Sequence, residues 1–337
     1  MKKIILSLRN IYQVFFLKLS TPSSQKAKVM TESPTRRAYI IAAITVFIGA
    51  IFFSTKAIFV KLAYQYEIDS VSLLTLRMAF SFPVFLGIGF WSFRKKSNQT
   101  YQLSRKDWLW SIAMGLLGYY VASLFDFMGL QYISASFERI ILYLYPTIVL
   151  LISFFLFHSK IRRIHVIALL LTYVGVGIAF YENFHTSEGD DVINGSILVF
   201  GAALAYAGYL VGSGQLLPKI GTFRYNSISM SAACFGVFFH NIGLNGFNLL
   251  EFAMPVYWIC LAMALIATVI PSFMMAEGVR VIGSSNAAII GSIGPISTIG
   301  MAYLFLGERL GWLQWVGTFF VIAGVLLITL QKRGERA

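Results

Sequence analysis

Five ionisable residues interrupt long apolar stretches of this chain: Lys56, Arg77, Asp126, Glu138 and Arg139. A charge in hydrocarbon is costly and rarely faces lipid, so such residues turn inward, pair or line a wet cavity, and they mark solute or ion pathways. Counting about 1.5 Å per residue from the centre of each apolar stretch sets all five in one layer, roughly 7–12 Å to one side of the midplane. Three cations and two carboxylates leave one positive charge over. That surplus suits a ligand carrying a carboxylate or phosphate, or a zwitterion such as an amino acid. The competing reading is a set of packing locks, with Glu138 paired to Arg77 or Lys56 and Arg139 to Asp126, which satisfies buried charge without binding anything. Asp126 and Glu138 are also the two groups that could carry a proton together with cargo.

Neighbouring residues extend the candidate site. Arg139, Tyr143 and Pro146 fall at i, i+4 and i+7 on one helical face. Tyr143 and Tyr145 either stack on cargo or only satisfy their hydroxyls between helices. Pro146 has a counterpart in Pro295, 149 residues on, and the same gapless shift sets Gly129 on Gly278, Ser136 on Ser285 and Gly175 on Gly324. Paired breaks in corresponding spans point to a transport site, so Pro146 and Pro295 are candidate hinges; the alternative is a pair of tolerated kinks. Gly283, Ala287 and Gly291 form a small-residue stripe suited to close helix packing. Asn286, beside that stripe, is a further candidate for cargo contact.

The elements that must position these residues are membrane helices. The chain is 58% hydrophobic and only 12% charged, whereas soluble domains carry roughly 25% charged residues. Apolar stretches of about 20 residues begin near Tyr39, Val71, Trp108, Ala135, His165, Ile193, Ile228, Val256, Ala287 and Leu313. The expected fold is all-α and integral to the membrane, with about ten spans. Most of the 27 basic residues fall on one side if both termini lie there, which the positive-inside rule makes the cytoplasm. The net charge of +13 is thus topogenic, and nucleic acid is not expected as a partner. Five spans per half is an odd number, so the second copy enters from the opposite side and the two repeats are inverted, an arrangement suited to alternating access.

The expected organisation is a basic segment over 1–37, a first five-helix repeat over 38–181, a linker outside the cytoplasm over 182–193, a second repeat over 194–332 and a short tail over 333–337. Within the first segment, Ile5, Leu8, Tyr12, Phe15 and Leu19 lie near one helical face; an interfacial helix, a basic tail and a start at Met30 are all open readings.

Several chemistries find no support. His158, His165, His185 and His240 have no metal-ligand spacing with Cys234 or Cys260, so no metal, disulfide or other cofactor is expected. No phosphate-cradling Gly-rich loop ending in Lys-Ser or Lys-Thr occurs, so coupling would come from an ion or exchange gradient rather than ATP. Nor is there a clustered nucleophile and base for a membrane-embedded enzyme. An uncoupled facilitator or channel-like permease stays open as the alternative.

Residues 38 to 332 resemble the drug/metabolite transporter superfamily of the EamA-like type. The resemblance is carried by Gly129-Leu-Gln-Tyr-Ile-Ser-Ala-Ser136 leading to Pro146, by the Gly307-Glu-Arg-Leu310 turn, by the glycine-containing Val321–Val325, and by Arg77 early in its span. The first half departs from the pattern, with Ser159-Lys160 where the family often has Glu-Arg. The resemblance implies two five-helix repeats in the bacterial inner membrane and export or exchange of small metabolites or amphipathic compounds. Its partners would be a small-molecule cargo and the bilayer, with a homodimer left open.

Overall fold

The computed structural model of the protein describes residues 36–94, 103–157, 163–186, 189–246, 248–291 and 293–334. The basic segment expected over 1–37 lies almost wholly outside the described residues, as do residues 335–337 of the tail. The helices are α1 (Arg36–Tyr64), α2 (Ser70–Arg94), α3 (Arg105–Gly115), α4 (Ala122–Tyr132), α5 (Ala135–Leu142), α6 (Tyr145–Phe157) and α7 (Arg163–Thr186). The second half follows with α8 (Gly189–Ile220), α9 (Thr222–Asn245), α10 (Met254–Ala264), α11 (Ile270–Gly291), α12 (Ile293–Met301) and α13 (Trp312–Gly334). Helix is the expected outcome, because hydrocarbon offers the backbone no outside hydrogen-bond partner.

Among the described residues, eight helical stretches are long and apolar enough to cross a membrane, and the shorter runs Ile293–Leu306 and Trp312–Leu327 bring the total to the expected ten. α3 and α4 form one span, as do α5 and α6. One difference lies between the repeats. α7 runs to Thr186 and α8 starts at Gly189, so the expected 182–193 linker is largely helix. Another lies in α11, where Met275 comes within van der Waals reach of a Cβ built on Gly291. A straight helix would hold those residues about 24 Å apart, so the chain doubles back inside this segment and joins the eighth span to the ninth.

The connections fall on two faces. Arg37, Arg94, Arg105, Lys106, Lys219 and Arg224 mark the helix ends of a basic face, where Trp91 meets Phe223 and Phe93 stacks on Trp108. Glu67, Asp69, Glu182, Glu251 and Glu308 mark an acidic face. There Asp69, Glu182 and Glu308 cap helix N-termini, whose first backbone N–H groups lack helical partners. Asp69 Oδ1 accepts from Val71 and Ser72 at 2.9 and 3.0 Å, Glu182 accepts from the Gln314 backbone, and Glu308 spans from the loop before α13 to the start of α5.

The repeats pack as an inverted pair. Counterpart spans meet across the pseudo-axis: α2 with α9, α5 with α12, and α7 with α13. The α7–α13 crossing is close, since a Cβ on Gly175 would stand 2.6 Å from the Gly317 carbonyl oxygen and one on Gly317 would stand 2.5 Å from that of Gly175. The third and eighth spans each contain a π-helical turn, Leu116–Val121 and Leu265–Val269. The 149-residue shift carries Leu116 onto Leu265, so the two bulges occupy equivalent places.

Candidate functional site

α1 supplies Lys56, α2 supplies Arg77, α4 supplies Asp126, and α5 supplies Glu138 and Arg139; the fold gathers all five. Lys56 Nζ lies 2.5 Å from Asp126 Oδ2, which makes the contact an ion pair. Glu138 is fully buried, with Oε2 3.7 Å from Arg139 Nε, and its carboxyl group faces that of Asp126. The pairing differs from the one given as an example for packing locks. Asp126 takes Lys56 rather than Arg139, and Glu138 takes its chain neighbour rather than a cation from another helix. Arg77 is 3% exposed, and its guanidinium sits over the Phe127 ring, 4.8 Å from the centroid. Arg77 Nε and Arg139 Nε and Nη2 are buried with no hydrogen-bond partner among the described residues. Buried donors of that kind ordinarily carry a partner, so these have room for one.

Lys56, Arg77, Asp126, Arg139 and Tyr143 line a cavity of about 630 Å³; Glu138 stands behind it. Tyrosines form a continuous wall. Ring centroids lie 5.6 Å apart for Tyr143–Tyr145, 5.1 Å for Tyr145–Tyr206, 5.7 Å for Tyr206–Tyr209 and 5.0 Å for Tyr209–Tyr119, and the last pair shares a 2.9 Å hydroxyl contact. Gly118, in the third span's π turn, makes room for this wall, because a Cβ there would run into the Tyr209 ring. The cavity continues past Leu217 and Asn226 to Thr222, at the basic-face end of α9, while none of its lining residues comes from the acidic-face connections.

The lining follows the repeat. Under the 149-residue shift Phe53 pairs with Ala202, Arg77 with Asn226, Tyr119 with Thr268, Ser123 with Ser272, Asp126 with Met275, and Tyr145 with Gly294, and both members of every pair line the cavity. The cavity therefore sits on the pseudo-two-fold axis. Its symmetry is one of position and not of chemistry, since each charge in the first repeat faces a neutral counterpart.

The fourth span breaks where the sequence places Pro146: α5 ends at Leu142, α6 starts at Tyr145, and Tyr143 and Leu144 form the turn between them. Pro295 lies early in α12, close to the cavity residue Gly294; Ser292, between α11 and α12, is outside the described residues. Asn286 falls within α11, and its side chain is outside the described residues. Sequence reasoning missed Tyr119, Tyr206, Tyr209 and Asn226. The repeat register held the signal for Asn226, as the counterpart of Arg77. Glu308 was legible only as part of a turn. Its Oε1 accepts from the Ala135 backbone at 2.8 Å, and Oε2 accepts from the Ser136 backbone and hydroxyl at 3.0 and 2.7 Å.

The EamA-like transporter family matches the chain twice, over residues 40–181 and 193–330. The chain is 33% identical over 299 residues to the uncharacterized transporter YcbK of Bacillus subtilis (strain 168), covering 84% of this chain and 93% of that protein. It is 24% identical over 243 residues to the uncharacterized inner membrane transporter YicL of Salmonella typhimurium (strain LT2), covering 68% and 76% respectively. A protein crystal structure with a TM-score of 0.61 and 16% identity covers 88% of this chain and 99% of its own, which shows the shared fold. Two family matches on two helical repeats, arranged about one cavity, place this chain in the EamA-like transporter family, as a multi-pass membrane transporter.

Proposed function

We propose that this transporter is a secondary carrier that exports or exchanges small carboxylate-bearing or amphipathic solutes, amino acids among them, by alternating access. One observation carries the reading: a cavity on the axis between inverted repeats ends in buried guanidinium donors that have no hydrogen-bond partner among the described residues, and its nearby cations outnumber carboxylates. Guanidinium groups suit carboxylate and phosphate geometry. The cargo would seat its anionic group against Arg77, Arg139 and Lys56 and lay its body along the tyrosines. The facing carboxyl groups of Asp126 and Glu138 are the candidates for proton coupling, and the break before Pro146 with its counterpart at Pro295 supplies the hinges. A cavity that extends toward one face, with no lining from the connections of the other, favours a carrier over an open channel. Basic helix ends favour both termini in the cytoplasm, and the family setting favours the bacterial inner membrane.

Counterflow into reconstituted vesicles tests this, with a panel of amino acids, phosphorylated metabolites and cationic dyes. Saturable counterflow of an anionic or zwitterionic solute is expected, with loss of about tenfold or more in R77Q and R139Q, the scale of a charge-assisted hydrogen bond. Normal transport by both variants, or linear flux without counterflow, would count against the carrier. Neutralising the coupling carboxylate, by D126N or E138Q, is expected to abolish uphill accumulation while exchange persists.

A further inference from the structure

The two ends of the cavity are chemically unequal, and the repeat shows by how much. Arg77 lies in the second turn of α2 from the acidic face, and Asn226 in the second turn of α9 from the basic face; the 149-residue register makes them counterparts. Asp126 likewise has Met275 as its counterpart. One end thus presents guanidinium, ammonium and carboxylate groups, and the other an amide and a thioether, with the tyrosines between. Among the described residues, no cavity residue contributed by the second repeat is Lys, Arg, Asp or Glu. A volume of about 630 Å³ takes in a small metabolite whole, so once alternation closes the basic face as well, both ends of the ligand leave water. A charge brought to the second end would be desolvated without a counter-ion.

We infer that the cargo is charged at one end only, with its carboxylate, alone or beside an α-ammonium, against Lys56, Arg77 and Arg139, and its uncharged end toward Asn226 and Met275. Asn226 sets this preference, because an arginine at that position would give the second end a guanidinium to match Arg77. The inference rests on the carrier reading and narrows it.

Exchange of labelled norleucine and labelled hexane-1-sulfonate in vesicles tests it, each against an unlabelled competitor that differs by a second terminal anion: 2-aminoadipate and hexane-1,6-disulfonate. The member of each pair that is charged at one end only is expected to compete at least tenfold better than its partner that is charged at both ends. N226R is expected to shrink that ratio at least tenfold, and R77Q to weaken all four solutes. Equal competition by both members in the native carrier overturns the inference. So does an unchanged ratio in N226R that retains the native melting temperature; if N226R does not fold, N226K takes its place, and the native ratios decide by themselves if neither does. If none of the four solutes exchanges while the wider panel finds another cargo, this inference alone falls. If nothing in the panel exchanges, the carrier reading falls with it.

Discussion

The Lys56–Asp126 contact is where a packing lock and a binding site make different predictions. Removing one partner of a buried pair leaves an uncompensated charge and costs about 3–5 kcal/mol, whereas replacing both by apolar groups of similar volume is near neutral or stabilising. K56M or D126L alone should therefore lower the melting temperature in detergent, and the double variant should regain most of it. Counterflow then separates the readings. A lock leaves transport intact in the double variant; a site that lines the cavity loses it, and loss is the expected result. The five charges were legible in the sequence because each stands out against hydrocarbon. Their pairing was not, since it depends on how α4 and α5 are rotated about their axes, and that rotation left Arg139 beside Glu138 instead of Asp126. The tyrosines were illegible for another reason. Among 17 Tyr and 30 Phe, an aromatic residue in an apolar span is ordinary, and only the fold shows that three spans bring five of them into one wall.

Elements, more than single residues, carry the inverted symmetry. The matched π turns at Leu116–Val121 and Leu265–Val269 widen the third and eighth spans beside the cavity, and Gly118, Tyr119, Ala267 and Thr268 line it from those turns. Such turns are frequent at functional sites. No residue type marks them, so they could not be read from the sequence. The α7–α13 crossing was half legible: glycines 175 and 324 appeared as an aligned pair, but the mutual close approach uses Gly175 and Gly317. Replacing Gly317 by alanine pushes a methyl group into the facing carbonyl and should cost about 1–3 kcal/mol, typical of overpacking. G177A is the control, because a Cβ there meets nothing within 4 Å. Its effect should be neutral or slightly stabilising, as alanine is the better helix former. Melting curves of both variants in detergent check this, and equal losses would mean that the close crossing is not what holds the two helices together.

Across the whole molecule, ten spans and the repeat were legible because hydrophobic runs and charge asymmetry are imposed by the bilayer. What the sequence did not reveal is which face is closed. The cavity reaches toward the basic face through Leu217 and Thr222, while on the acidic face Glu308, from the second repeat, holds the first turn of α5, from the first repeat, through three hydrogen bonds. Ser134 serves Phe137 in the same turn at 3.2 Å. Ala135 and Ser136 therefore depend on a carboxylate from the other repeat, and α5 also carries Glu138 and Arg139. A carrier that exposes its site to each face in turn has to part these repeats on the acidic side, so the Glu308 contact should break once per cycle. Joining the two sides covalently should then stop transport. With Cys234 and Cys260 replaced by alanine, Glu308→Cys and Ser136→Cys bridged by a short bis-maleimide should abolish counterflow, while each single variant given the same reagent keeps its own rate. A cysteine at the cavity residue Ser123 should still react with a maleimide added from the basic face of the bridged protein, because that route stays open when the acidic face is held shut. Undiminished counterflow after complete bridging would mean that the repeats do not separate there, and that solute crosses without the alternation proposed for it.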